Sequence, residues 1–265
     1  MKELHILVTN DDGIHAEGIQ YLSQVLQKEG HNLKLSIVAP DRERSAIGHA
    51  ITMHQPLRVE KISFMHNREL SGWSVNGTPS DCVKLAVEAI LESKPDLVIS
   101  GINRGSNLGT DVLYSGTVSA AVEGLIIGIP SVAVSLTDRG EEKNYLYAAR
   151  YVRNLIPDLL ESGIEPHTLI NINIPVNTDQ IKGVRITSLG NRRYRNIFDR
   201  RIDPRGSIYY WMAGEVVDDD PEDDHSDTKA IRENYISVTP VCFRLTDFAA
   251  MTKLHKMLTN VPLPS

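Results

Sequence analysis

The stretch that decides the fold is HILVTNDDG at residues 5–13, a short apolar run that ends in two aspartates and a glycine. Residues 5–9 have the β-branched, apolar character of a strand. The following segment, Glu17–Lys28, carries apolar residues at helical spacing. A strand followed at once by a helix is one half of a βαβ unit, and the same alternation continues along the first two thirds of the chain.

This alternation predicts a parallel sheet covered by helices on both faces, that is, a Rossmann-like, mostly parallel α/β fold. A β-hairpin is expected to be inserted between Ala50 and Val75, where Ile51–Met53 and Leu57–Val59 flank Pro56. The predicted strands are His5–Thr9, Leu33–Val38, Leu97–Ser100, Ser131–Ser135 and Thr168–Ile174, and the predicted helices are Glu17–Lys28, Ser80–Glu92, Val118–Ile127 and Asn144–Glu161.

The character of the chain changes after Pro175. A basic stretch at 192–201 and a strand-rich stretch at 207–217 precede an acidic stretch at 218–227. A lone hairpin is barely stable in water, so such an appendage usually serves oligomerisation. We therefore divide the chain into a catalytic core at 1–175, an extended arm with a β-hairpin at 176–245, and a C-terminal helix and tail at 246–265. Tyr235–Pro240 reads as a further strand and Phe248–Leu258 as the terminal helix.

Composition narrows the class of protein. The chain of 265 residues has 28 Lys+Arg against 34 Asp+Glu, a net charge of −6, which argues against a general binder of nucleic-acid polymers but not against a nucleotide. Its two cysteines lie far apart, which suits a reducing cytosol rather than a disulfide framework. No apolar run approaches the roughly 20 residues of a membrane span. We expect a cytoplasmic protein without a membrane partner.

The first candidate site follows the first strand, at Asp11 and Asp12. Ligands of open parallel sheets bind beyond the carboxyl ends of the strands. Adjacent carboxylates repel a phosphate unless a cation lies between them, and they suit Mg²⁺, Mn²⁺ or Ca²⁺ better than zinc. Gly13 makes the turn that would let them converge easy to form. The alternative is a solvated turn in which one aspartate caps the next helix.

Two further loops follow predicted strands. In APDRERSA, residues 39–46, Ser45 can offer a neutral oxygen to a metal, although the segment also reads as a charged surface loop. After the third strand, Asn103 can present a carbonyl oxygen to a cation and Asn107 can donate to a phosphate oxygen. The turn Ser115-Gly116-Thr117 then opens a helix whose free N–H groups favour an anion, unless it is only an N-cap.

The net charge of such a pocket determines which ligand it can bind. Two carboxylates and one divalent ion sum to zero, so a phosphomonoester dianion needs more positive potential. The helix start at 115–117, Asn107 and the guanidinium groups of Arg44 or Arg104 can supply it. This combination favours metal-assisted phosphoryl chemistry.

Five segments occur in one order: VTNDDGIHAEGI (8–19), APDRERSA (39–46), GTPSDCVKLA (77–86), SGINRGSNLGTDVLYSGTVSAAVEG (100–124) and IPSVAVS (129–135). Together they resemble the SurE (survival protein E) family of nucleotidases. The resemblance implies metal-dependent hydrolysis of nucleoside monophosphates at 5′ and often 3′ positions. It places metal ligands at Asp11, Asp12, Ser45 and Asn103 and phosphate contacts at Asn107, Ser115, Gly116 and Thr117. It also implies an arm that is exchanged in a homodimer or homotetramer.

The sequence thus predicts a 5′-nucleotidase with one Mg²⁺ or Mn²⁺ per subunit and Asp11 and Asp12 as its catalytic residues. Two questions stay open at this point. The first is whether water or an aspartate attacks phosphorus; the glycine two positions after Asp11 departs from the haloacid-dehalogenase pattern and favours water. The second is whether the substrate is instead another small phosphate ester or polyphosphate, or whether the protein is a nucleotide sensor without turnover.

Overall fold

The computed structural model describes residues 3–29, 32–64, 70–162, 167–195, 197–218, 223–259 and 261. Nine of the strands in these ranges form one sheet in the order β3-β4-β2-β1-β5-β6-β7-β13-β8. The strands are β1 (Leu4–Thr9), β2 (Leu33–Pro40), β3 (Val59–Ser63), β4 (Ser71–Val75), β5 (Leu97–Arg104), β6 (Ser131–Leu136), β7 (Thr168–Ile174), β8 (Val184–Ile186), β9 (Arg192–Arg195), β10 (Phe198–Ile202), β11 (Ile208–Met212), β12 (Glu215–Asp218) and β13 (Ile236–Cys242).

The central run from β4 to β7 is parallel throughout, and the antiparallel pairs β3–β4 and β7–β13 lie on either side of it. The predicted α/β class is confirmed, and each of the five predicted strands occurs within two residues at its start and four at its end. Parallel strands need crossover connections, which the helices supply.

Helices cover both faces of the sheet. They are α1 (Glu17–Glu29), α2 (Pro79–Leu85), α3 (Gly116–Ile126), α4 (Glu142–Ser162), α5 (Asp227–Arg232) and α6 (Phe248–Leu258). Successive side chains of β1 point to opposite faces of the sheet and pack in different hydrophobic cores. Ile6 and Val8 pack with α1 and α4, whereas Leu7 packs with α2 and α3. The predicted helix Ser80–Glu92 is shorter, since α2 ends at Leu85 and continues as a π-helical turn, Ala86–Ile90.

The inserted hairpin exists, but its strands are β3 and β4, which pair from Val59 opposite Val75. The expectation of a strand at Ile51–Met53 is wrong. There the backbone binds the start of α2 instead: the Thr52 N–H donates to the Asp81 carboxylate (2.9 Å), and the Thr78 hydroxyl donates to the Ala50 carbonyl (2.8 Å). These side-chain bonds take the place of a strand ladder.

Beyond residue 175 the main sheet continues with β8 and β13, so part of the segment that the sequence assigns to the arm lies in the sheet. Two antiparallel pairs, β9–β12 and β10–β11, form the arm itself, and the acidic stretch 218–227 lies partly outside the described residues. Helix α6 covers the predicted terminal helix and has no buried residue. None of the described helices combines the length and apolarity that crossing a membrane requires.

Register places the candidate loops together. Val8 of β1 lies opposite Ile37 of β2, and Thr9 lies opposite Ser100 of β5. The chain therefore leaves these three parallel strands at the same edge of the sheet. Strand β2 lies on one side of β1 and β5 lies on the other, so the loops after these strands meet at a topological switch point. This is the position at which open α/β sheets bind ligands.

Candidate active site

Asp11 is a buried carboxylate, only 4% exposed, held against the start of α3. The Thr117 hydroxyl donates to its Oδ1 at 2.5 Å. A Cβ at Gly116 would lie 2.8 Å from the Asp11 Cβ and 2.9 Å from its Oδ2, so the helix approaches this closely because residue 116 is glycine. Asp11 thus contacts two of the three residues of the predicted phosphate turn.

Burial raises the pKa of Asp11 to about 6, against the Thr117 hydrogen bond, and the charge of Asp12 adds to the rise. Burial also raises the pKa of Asp12, which is half-buried, and the carboxylate of Glu43 contributes. Two desolvated acids at adjacent positions of one turn favour a neutralising cation. The oxygen atoms of these residues are the ligands that a divalent ion such as Mg²⁺ or Mn²⁺ prefers, so the residues fit such a metal ion.

Asp12 is oriented by the strand beside it. The backbone N–H of Arg104, at the end of β5, donates to Asp12 Oδ2 at 2.9 Å. The turn between the two aspartates and α1 is closed by Asn10, whose side chain donates to the Gly13 carbonyl and accepts from the Gly13 N–H. Gly13 has φ +98°, the left-handed region that the sequence predicted it to supply.

Ser45 lies on the loop after β2, and Asn103 lies near the end of strand β5, which is longer than the sequence predicted at this point. The N–H of Arg44 donates to the Asp11 carbonyl at 2.7 Å, so the second loop is attached directly to the first, next to Ser45. The Ser45 hydroxyl donates to Glu43 at 2.7 Å. The Asn103 amide nitrogen donates to the Gly105 carbonyl at 2.8 Å, which leaves its carbonyl oxygen for another partner. Both side chains keep an oxygen that can accept a cation.

Asn107 is held in place by three buried side chains. The Asn107 N–H donates to Asn173 Oδ1, and both Asn171 and Asn173 donate to the Asn107 carbonyl at 2.9 Å. Its side-chain nitrogen donates to the Ser135 hydroxyl at 2.7 Å, so one of its two N–H groups remains for a ligand. This network fixes Asn107 at the sheet edge.

The helix start has two roles. Ser115 is the N-cap of α3, because its Oγ accepts the Val118 N–H at 3.1 Å. Its hydroxyl hydrogen and the free backbone N–H groups of the first turn can still donate to an anion. The Thr117 hydroxyl already donates its hydrogen to Asp11, so only the backbone N–H of Thr117 is available to a phosphate.

The arm is fastened to the loop between Asn107 and Ser115. Asp227 is fully buried and accepts the backbone N–H groups of Gly109 (2.8 Å), Gly190 (2.9 Å) and Thr228 (2.8 Å). Asp111 of the same loop accepts from Arg192 (2.8 Å) and from the Tyr194 hydroxyl (2.6 Å) of β9. The segment that precedes α3 is therefore shaped by residues far along the chain.

Comparison with known proteins identifies the family. A model described as Survival protein SurE matches residues 6–196, well over half of the chain. The chain belongs to the SurE family. A relative named 5′-nucleotidase SurE from Carboxydothermus hydrogenoformans is 54% identical over 95% of this chain and 95% of its own length. Another of the same name, from Pelotomaculum thermopropionicum, is 52% identical over 98% of this chain and 97% of its own length. The crystal structure of SurE protein from Aquifex aeolicus is 39% identical over 96% of this chain and 99% of its own, with a TM-score of 0.80.

Sequence reasoning about this SurE-family chain missed the residues that support the site. Asn171 and Asn173 had a usable signal, since polar side chains inside an otherwise apolar, buried strand need a partner. Asn10 also had one, as an Asx residue at a turn. Asp227 had none: it is one of several acids in the stretch 218–227, and its partner Gly109 is 118 residues away.

Asp227→Ala is expected to lower the free energy of unfolding by about 3 kcal/mol or more, because three buried N–H groups lose a charged acceptor. Urea unfolding followed by circular dichroism measures this. The matched control is Asp224→Ala, which removes an exposed carboxylate paired with Lys229 and should change stability by no more than about 0.5 kcal/mol. Equal losses in the two variants would contradict the role assigned to Asp227.

Proposed function

We propose that this SurE-family chain hydrolyses nucleoside 5′-monophosphates, and 3′-monophosphates as well, to nucleoside and phosphate with one divalent metal ion, Mg²⁺ or Mn²⁺. Nucleotidase activity is supported by relatives named 5′-nucleotidase SurE that match nearly the whole chain. The observation that carries the proposal is the contact of buried Asp11 with the start of α3, which joins an acidic metal site to an anion site.

Asp11, Asp12, Ser45 and Asn103 would hold the metal ion through oxygen atoms. When bound, the ion neutralises the two acids and polarises a phosphate oxygen. The chain already orients these donors: the Thr117 hydroxyl fixes Asp11, the Arg104 N–H fixes Asp12, and Gly105 fixes Asn103. Such fixed partners keep ligands in place and are typical of metal centres.

The phosphate would be bound by Asn107, Ser115 and the backbone N–H groups of Gly116 and Thr117. The donors at residues 115–117 carry the partial positive charge of the helix start, and Asn107 is held by Asn171, Asn173 and Ser135. Because all of them are fixed before the reaction, they would stabilise charge on the equatorial oxygens without rearrangement. None of them needs a sugar atom, which is consistent with cleavage at both the 5′ and the 3′ position.

Water is the proposed nucleophile. Asp11 Oδ1 accepts the Thr117 hydroxyl, and its Oδ2 packs against Gly116, so this carboxylate is restrained on both sides. Asp12 accepts the Arg104 N–H through Oδ2, which leaves Oδ1 to accept a proton from an attacking water and orient it in line with phosphorus.

A substrate panel tests this function. Phosphate release is measured from 5′-AMP, 3′-AMP, p-nitrophenyl phosphate and short polyphosphate, each with Mn²⁺, with Mg²⁺ and with EDTA. We expect release from both nucleotides with metal and none with EDTA. Release that persists in EDTA would refute the metal requirement, and nucleotide binding without any release would indicate a sensor.

We also propose that the arm contacts further copies of the chain in a homodimer or homotetramer. All residues of β10 and β11 are exposed, among them Phe198, Tyr210 and Trp211. Helix α6 exposes Phe248 and Met251 in the same way. Exposed apolar surface of this extent is typical of a protein–protein interface. Light scattering at several protein concentrations measures the mass of the assembly and so tests whether the chain forms a dimer or a tetramer.

A further inference from the structure

A cleft opens beside Asp12, on the side of the sheet that α1 and α4 cover. Its volume is about 360 Å³, and Asp12, Gly13, Arg42, Arg104 and Tyr145 are among the residues that line it. This volume lies within the roughly 300–1,000 Å³ of small-molecule sites. Asp12 belongs both to this cleft and to the two candidate metal-binding acids, so the cleft adjoins the proposed metal site.

The charges of the lining decide which part of a ligand fits. The cleft has four carboxylates and two guanidinium groups: Asp12, Glu17, Asp41 and Glu43, and Arg42 and Arg104. Even with Asp12 committed to a metal ion, three carboxylates face two guanidinium groups. A chain of further phosphates would meet no net positive potential there. A neutral group rich in hydroxyls and ring nitrogens would instead find acceptors as well as donors.

Tyr145 on α4 offers a free hydrogen-bonding group. Its side chain is 2% exposed and stacks on Tyr21, with ring centroids 5.8 Å apart. Tyr145, Asp12 and Glu17 line the same cleft, and burial raises the pKa of the phenol, with the charges of Glu17 and Asp12 adding to the rise. Its hydroxyl donates to no other group in the part of the chain that the structure describes.

Glu17 and Arg104 complete the set. Glu17 is exposed in the first turn of α1 and lines the cleft, and its carboxylate can accept hydrogen bonds from sugar hydroxyls, as an acidic residue does for ribose in dinucleotide-binding folds. Arg104 follows Asn103, and its exposed guanidinium plane can stack on a base. Its backbone N–H donates to Asp12 and the residue also lines the cleft, so Arg104 links the cleft to the candidate metal site.

We propose that this cleft binds the nucleoside part of the substrate, with the Tyr145 hydroxyl and the Glu17 carboxylate on the sugar hydroxyls and Arg104 against the base. The proposal rests on the proposed function, because it assumes that the phosphate docks at the aspartates and the start of α3. It implies that the protein prefers mononucleotides to polyphosphate and to esters without a sugar.

The experiment compares Tyr145→Phe with wild type on two substrates, 5′-AMP and p-nitrophenyl phosphate, the second of which has no sugar or base. Phenylalanine keeps the stack on Tyr21 and removes only the hydroxyl. We expect kcat/KM for 5′-AMP to fall about tenfold, mainly through KM, as the loss of one hydrogen bond predicts. The value for p-nitrophenyl phosphate should not change. Tyr21→Phe is the matched control, because it makes the same change on the other ring of the stack, and it should leave both substrates unaffected.

Equal losses on both substrates, or no loss on 5′-AMP, would overturn the proposal. Binding of adenosine to the metal-free protein, measured by equilibrium dialysis, separates the cleft from the chemistry. If wild type hydrolyses neither ester, the proposed function is wrong. Weaker adenosine binding by Tyr145→Phe than by Tyr21→Phe would then still support the cleft, and equal binding would refute it.

Discussion

Asp11→Asn is expected to lower kcat for 5′-AMP by more than about 10²–10³-fold, the loss that follows removal of one preorganised transition-state donor. The effect should exceed that range, since the variant removes a charge on which the proposed metal site depends. The fold should survive, because the asparagine Oδ1 can still accept the Thr117 hydroxyl. Initial rates at saturating 5′-AMP with Mn²⁺ measure the loss.

Thermal unfolding supplies a second readout for Asp11→Asn. Burial raises the pKa of Asp11 to about 6, above its ordinary 3.8, so the folded metal-free protein loses stability as pH rises through this interval. Asparagine carries no charge, and the metal-free variant at neutral pH should therefore unfold no earlier than wild type. Added Mn²⁺ should raise the melting temperature of wild type only. Near-normal turnover, or an undiminished Mn²⁺ shift in the variant, would remove Asp11 from the site.

Gly116→Ala should have the second largest effect, a loss of about 10²-fold in kcat/KM for 5′-AMP. The new Cβ would lie 2.8 Å from the Asp11 Cβ and 3.2 Å from the Pro79 ring, so either the aspartate or the start of α3 must move. A displacement of about 1 Å between catalytic groups costs this much. Steady-state kinetics measure it, with far-UV circular dichroism to confirm that the helices remain.

The control for Gly116→Ala is Gly206→Ala, which lies in the turn between β10 and β11. Gly206 has φ +86°, so alanine there is strained, but its Cβ would meet no atom within 4 Å. We expect a small loss of stability and unchanged kinetics. If both variants kept normal kinetics, the close approach of α3 to Asp11 would not matter for turnover.

The sequence was sufficient for the α/β class of the sheet and for the prediction that the candidate loops meet at one of its edges. Hydrophobic periodicity located the central strands, and the parallel order put Asp11, Ser45 and Asn103 at one edge. Local patterns carry this information, because strand and helix periods are properties of neighbouring residues. The start of α3 at Ser115-Gly116-Thr117 was likewise legible from its N-cap.

Where sequence reasoning went wrong, a distant contact was responsible. Ile51–Met53 has the composition of a strand, but Asp81, 29 residues from Thr52, binds its backbone and prevents pairing. A distant contact also decides what the Thr117 side chain does: its hydroxyl donates to Asp11, 106 residues away, whereas the backbone N–H of Thr117 is still available for the predicted phosphate contact. Neither partner could be chosen before the layers of the fold had been assembled.

By itself the sequence determined the fold class, the edge of the sheet at which the candidate loops meet and the acids proposed as metal ligands, because each of these follows from short-range pattern. Only the tertiary structure decided the support and the shape: that Asn171 and Asn173 hold Asn107, that Asp227 fastens the arm to Gly109, and that a cleft opens between Asp12 and Tyr145. A buried hydrogen bond or a cavity depends on which surfaces meet, and this is set by packing over the whole chain rather than by any one segment.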